Sequence, residues 1–105
     1  MTGTPDYTIT REVSGSKGRY VARAPGLPDA EMTYSILNPQ MIIIDHTGVP
    51  DAWRGKGVGK ALVERGVLDA RAEGVRIVPL CPFAKAQIER HPEWQDVLGG
   101  KAKEV

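Results

Sequence analysis

One cysteine, two histidines and no apolar run longer than Met41 to Ile44 set the first limits on this 105-residue chain. A single cysteine cannot close an internal disulfide, so nothing here demands an oxidising compartment. With only Cys81, His46 and His91, no metal-ligand cluster has useful spacing, and no metal is expected. Met41-Ile42-Ile43-Ile44 is far too short to span a bilayer, and no basic-then-apolar leader opens the sequence. A cytoplasmic protein that does not engage a membrane is the expectation. Fourteen basic against 13 acidic side chains leave a net charge of +1, which gives no footprint for nucleic acid. No repeat or charge run is present. The length suits one core, placed over residues 1–98, with little room for a separate substrate domain. Residues 99–105 have glycines and charges and are expected to form a flexible tail.

What is present reads as strands first and helices later. Tyr7 to Val13 alternates as a half-buried strand, Ser14 to Gly18 turns, and Arg19 to Arg23 returns beside it as a hairpin. Pro25-Gly26-Leu27-Pro28 breaks the chain, and Ala30 to Leu37 is a third strand. Asn38-Pro39 turns again, and Met41 to Val49 is a fourth, whose isoleucines predict burial on both faces. Further on, Gly59, Leu62, Val63, Gly66, Val67 and Ala70 follow a helical template and predict a face packed on the sheet. Gly66 in mid-helix costs about 1 kcal/mol relative to alanine, which a close helix-to-sheet approach would offset. Gly74 supplies a left-handed cap, Val75 to Leu80 a fifth strand, and Pro82 the first turn of a last helix running to about Arg90.

The segment between the fourth strand and the first helix carries the chemistry. Arg54-Gly55-Lys56-Gly57-Val58-Gly59-Lys60 places three glycines at alternate positions, directly ahead of a helix whose first amides are unpaired. Such a turn suits phosphate or pyrophosphate. A Walker loop would need glycine at 54 and a hydroxyl at 61, where this chain has Arg54 and Ala61. The dinucleotide fingerprint would need its third glycine at Lys60. Neither pattern fits.

The pattern R-x-x-G-x-G does fit. With Asp45-His46-Thr47-x-Val49 before it, and Val78-Pro79-Leu80-Cys81-Pro82-Phe83 and Arg90-His91-Pro92-Glu93-Trp94 after it, the chain resembles the GCN5-related N-acetyltransferases. Within them it is similar to the small, single-domain YjdJ or NATD1-like branch, over about residues 40 to 98. The resemblance implies an α/β (α+β) fold: a mixed, mostly antiparallel sheet with helices packed on it and two strands splayed at the cofactor site. It implies acetyl-coenzyme A as cofactor and transfer of acetyl to a primary amine, a small amine or an exposed lysine, by direct attack. An acyl-coenzyme A binding or sensing module with little transferase activity is the alternative. A monomer or weak homodimer is expected.

The resemblance also assigns residues. The cofactor would lie along Thr47, Gly48, Val49, the loop Arg54, Gly55, Lys56, Gly57, Val58, Gly59 and Lys60, then Cys81, Phe83 and Lys85. An amide near Val49 would polarise the thioester carbonyl. Cys81, ahead of a helix N-terminus, is the candidate to donate a proton or carry an acetyl group, with a small buried hydrophobe as the plain alternative. His46 is either a base acting through water or a polar residue closing its strand. Trp53 either covers the cofactor or packs at the sheet edge, while Phe83 and Lys85 either contact the adenosine end or serve packing and solvation. His91 and Trp94 are read as turn and core residues. Relatives often carry a tyrosine in the last helix and a carboxylate after the H-T pair; this chain has Glu89 and Gly48 there.

Overall fold

A computed structural model describes residues 7–99. Five strands form one sheet in the order β1-β2-β3-β4-β5, namely Thr8–Ser14, Lys17–Arg23, Ala30–Asn38, Met41–Gly48 and Arg76–Pro79. The first four pair antiparallel and β5 joins β4 in parallel. A parallel neighbour requires a crossover, and α1 (Val58–Glu73) provides it; α2 (Pro82–Glu89) follows β5. The α/β architecture implied by the sequence is the one found.

Local chemistry explains the elements. Gly15, at φ 60°, takes the left-handed position of the tight turn joining β1 to β2. The face of α1 read from the sequence is the buried one, and Gly74 caps its end at φ 72°. Gly66 lies where a Cβ would come within 3.0 Å of Met32 Cε, so the helix does sit close on the sheet.

One face of the sheet carries the core. Tyr20, Met32, Tyr34, Ile42, Ile44 and Ile77 are buried in a single cluster with Leu62, Val63 and Val67 of α1 and Ala84 and Ile88 of α2. Each such side chain contributes about 1.5–3 kcal/mol of burial. Near the β1 edge a polar cluster joins sheet and helix: the Tyr20 hydroxyl donates to Asp69 (2.9 Å), and Arg11 reaches Glu73 (2.6 Å) and the Tyr34 hydroxyl (3.1 Å). Burial, together with that bond to Asp69, raises the Tyr20 hydroxyl far above its ordinary pKa and keeps it protonated.

No helix packs on the other face among the described residues. The expectation that β4 would be buried on both sides fails there, since Ile42 and Ile44 are buried while Met41 and Ile43 are only half-buried. Ion pairs cover this bare face instead, with Arg19 holding Glu12 (2.8 Å) and Glu31 (2.9 Å), and Arg23 holding Glu12 (3.1 Å) and Asp29 (3.3 Å). Val21, fully buried, stands among them.

The tail expected from 99 onward begins with a tied residue, because the Gly99 amide donates to Ile77 O (2.9 Å) and Leu98 bridges Ile77. Residues 100–105 lie outside the described residues.

Gly18 is fixed by its partner across the sheet. The Tyr34 ring lies where a Cβ would be, and that ring is itself held by Arg11 and packed at a tilt against Tyr20. Gly18→Ala is therefore expected to overpack this corner and cost about 1–3 kcal/mol. A thermal melt should show Tm falling by about 4–8 °C per kcal/mol lost, and an unchanged Tm would refute the packing account.

Candidate active site

β4 and β5 run together for only four paired positions, ending at Ile44↔Pro79. Pro79 has no amide hydrogen to extend the ladder, and the amides of Leu80 and Cys81 both turn back onto Ile44 O at 3.1 Å. Beyond that point β4 continues beside β3 alone, out to Gly48. The two strands thus part, and a gap opens between the end of β4 and the residues entering α2.

Thr47 and Cys81 face each other across this gap, Oγ1 to Sγ 3.4 Å. Cys81 is the N-cap of α2, with Pro82 in the first helical position. Burial pushes its thiol up, yet hydrogen bonding from the Thr47 side chain and from the backbone amides of Ala84, Phe83 and Thr47 outweighs burial, leaving the pKa below its ordinary value.

The glycine loop stands at the same place. Past the short 3-10 turn Asp51–Trp53, Gly55 (φ 82°) and Gly57 (φ 68°) adopt left-handed conformations with open space where a Cβ would be. Gly57 is the N-cap of α1 and offers no side chain to its first amides, and the first turn holds no acidic residue. Arg54, Lys56 and Lys60 are exposed around it, with Arg54 only loosely near Asp51 at 3.7 Å. A helix N-terminus without a cap or carboxylate, ringed by cations, offers donors and positive potential to an anion.

Gly59 departs from the sequence argument. Its missing Cβ makes room for Phe83, whose Cζ would lie 2.7 Å from one, and both Gly59 and Val58 are buried. The third glycine thus brings the first turns of α1 and α2 into contact, instead of opening the loop to a ligand. Trp53 is settled as a packing residue: it is buried, its indole donates to Pro28 O (2.6 Å), and it meets Tyr7 edge-on. The Lys56 amide donates to Trp53 O (3.1 Å), so this anchor also holds the loop.

Other residues fall out as follows. Val49 (39%), Leu80 (65%) and Phe83 (39%) are exposed apolar side chains on the segments bordering the gap. Leu80 escaped sequence reasoning, though Pro79 ahead of it was a signal that the strand could not continue. Lys85 is exposed on α2. His46 and Gly48 are not brought to Cys81. Asp45 is an extra residue in β4, a bulge between the Thr33↔His46 and Tyr34↔Ile44 pairs, and it turns His46 with Thr33 toward the bare face. His91 pins the end of α2 through Nδ1 to Gln87 O (2.7 Å) and stacks on Trp94 at 3.9 Å. Glu89 is exposed. Among the described residues no three His, Cys, Asp or Glu side chains group to hold a metal, and no helix is long and apolar enough to cross a membrane.

A sheet whose parallel neighbours part beside a glycine-capped helix N-terminus defines the acetyltransferase class of α/β folds. A family model described as GCN5-related N-acetyl-transferase matches residues 19–97, and the chain belongs to that family. Protein NATD1 of Bos taurus is 26% identical over 93 residues, covering 86% of this chain and 82% of that protein. Protein NATD1 of Xenopus tropicalis is 25% identical over 89 residues, covering 84% and 82%. The solution structure of a GCN5-like candidate N-acetyltransferase from Staphylococcus aureus superposes with a TM-score of 0.67 at 33% identity, covering 96% of each chain.

The Thr47–Cys81 contact makes a titration testable. Thr47→Val removes one bond that lowers the thiol pKa, so the thiolate should appear at higher pH than in the unsubstituted chain. The sign follows because the bond favours the charged form; its loss leaves burial less opposed. Thiolate absorbance at 240 nm against pH, with alkylation rate as a second readout, would measure this. A midpoint unmoved or lowered would show that Thr47 does not tune Cys81.

Proposed function

We propose that the chain binds acetyl-coenzyme A in the gap between β4 and β5 and transfers the acetyl group to a primary amine by direct attack. The observation carrying this reading is the meeting of two helix N-termini at the mouth of the gap, Gly59 of α1 against Phe83 of α2, with no acidic residue in either first turn. The donor set fits the group. Amides at the start of α1, with Arg54, Lys56 and Lys60, would hold the pyrophosphate. Backbone at Thr47, Gly48 and Val49 would hold the pantetheine as strand-like hydrogen bonds, and exposed Val49, Leu80 and Phe83 would be covered by it. Lys85 would face the adenosine end.

Bound acetyl-coenzyme A supplies an activated thioester. The protein's own part is to orient it and manage protons. An amide near Val49 would polarise the carbonyl. Cys81 would hold an exchangeable proton at Sγ on the wall of the gap, for the departing thiolate. His46 on the bare face would accept the amine's proton, directly or through water. Exposed Glu89 and half-buried Gly48, at positions where relatives carry a tyrosine and a carboxylate, favour a second reading in which the same site binds acyl-coenzyme A with little turnover.

Calorimetric titration separates these from a bare fold. Acetyl-coenzyme A and free coenzyme A should bind with micromolar or tighter Kd, about −8 kcal/mol, while ATP and NAD give no comparable heat. Gly57→Val puts a β-branched residue at φ 68° and should weaken binding at least about tenfold. No binding of either coenzyme A species would sink both readings. Binding with no acetylation of any amine would favour the second, and turnover retained in Cys81→Ala would remove the thiol from the mechanism.

A further inference from the structure

We infer that the bare face of the sheet is the acceptor site, and that it selects a small amine carrying its own anionic group, an amino acid being the simplest, with Asp45 and Lys17 as the residues that read it. The inference rests on the transferase reading.

A groove of about 470 Å³ opens at the β1–β2 end of this face, its mainly apolar lining formed by Val13, Gly18 and Tyr34 beside the charged Glu12, Lys17, Arg19 and Asp45. That volume is in the range of small-molecule sites. The β4 bulge directs two consecutive residues, Asp45 and His46, to this one side. Asp45 accepts from Ser35 Oγ (2.7 Å), which stands on the bare face opposite Lys17, and His46 is paired with Thr33 on the same face. Asp45 is thus the sequence neighbour of the candidate base, whose imidazole lies over Gly48, along the stretch of β4 whose far edge borders the gap.

The charges in the groove are not equally free. Glu12 is shared by Arg19 (2.8 Å) and Arg23 (3.1 Å), and Arg19 also holds Glu31 (2.9 Å). Among the described residues Asp45 has no arginine within ion-pair distance, and its one cation there is Lys17, at 4.0 Å, with 72% of the lysine side chain exposed. Lys17 meanwhile donates to the same Ser35 hydroxyl at 2.7 Å. The groove thus keeps one loosely engaged carboxylate and one loosely engaged ammonium, side by side on a shared hydroxyl. A purely cationic amine would take Asp45 from Lys17 and leave two ammonium groups competing for one carboxylate. An amine with its own carboxylate gives each a full partner, ammonium to Asp45 and carboxylate to Lys17.

The test uses amide NMR shifts of the full chain with free amino acids, with putrescine and spermidine, and with a lysine-containing peptide, each with and without coenzyme A. Amino acids should shift residues 12–19, 33–35 and 45–46. Asp45→Asn and Lys17→Met should each weaken that binding at least about tenfold while leaving the Kd for coenzyme A within about twofold. Shifts by polyamines or the peptide alone, or amino-acid binding indifferent to both variants, would overturn the inference. Coenzyme A binding is read separately in each sample. Its loss alongside intact amino-acid shifts would fell the transferase reading and leave the groove standing as a ligand site. Coenzyme A binding with no amino-acid shifts would do the reverse.

Discussion

A proline at the end of a short parallel strand governs this structure. Pro79 has no donor to give β4, and the carbonyl it leaves at Ile44 takes the next two amides instead. The chain is thereby turned out of the sheet and into α2 within two residues, Pro82 being suited to the first helical turn. On its other side β4 stays paired with β3 out to Gly48, with a bulge at Asp45 on the way. One strand is therefore held while its neighbour leaves, which is the physical content of the gap. The Thr47–Cys81 contact, the approach of α2 to the start of α1 and the exposure of Leu80 all follow from that departure.

The bulge at Asp45 has the second vote. Counting from buried Ile44 by simple alternation, His46 would point to the helices and Thr47 away from them. The extra residue reverses this, so that Thr47 faces Cys81 and His46 faces the bare side. A single inserted position thus decides whether the thiol of Cys81 meets a hydroxyl or an imidazole. Bulges leave a residue out of the ladder; here Asp45 finds its partner in Ser35, a side-chain bond replacing a backbone one.

Much of the architecture was legible because it depends on neighbours in sequence. The hairpin, the buried face of α1, the cap at Gly74 and the start of α2 at Pro82 are each dictated within a few residues. The glycine loop was legible as a tight turn into a helix for the same reason, two of its glycines being required by their own left-handed φ. What escaped depends on partners far along the chain. Gly59 looks like its two companions in sequence, but its need for no side chain comes from Phe83, a contact between helices. The side on which His46 lies is set by register with Thr33, which no local pattern of β4 encodes. Burial of Met41 and Ile43 was overestimated because nothing local tells which face will lack a covering helix.

These features bear on how so short a chain would combine the two proposed sites. The start of α1 gives up what usually stabilises a helix N-terminus: no capping side chain, no acidic residue, and Lys60 in the first turn. A capping side chain alone is worth about 1 kcal/mol. Trp53, buried and bonded to Pro28 O, anchors the loop without occupying the amides, so packing at a distance from the donors offsets the missing cap. On the opposite face the reverse economy holds. Arginine–carboxylate pairs roof the strands where no helix does, and their mutual saturation leaves Asp45 and Lys17 as the residues with capacity for another partner. Such exposed pairs contribute little to stability singly, so using them as a roof leaves the face polar and open. The same β4 residues separate the two surfaces, Thr47 serving one and Asp45 with His46 the other. The bulge at Asp45 is the element that sorts those side chains between the two surfaces.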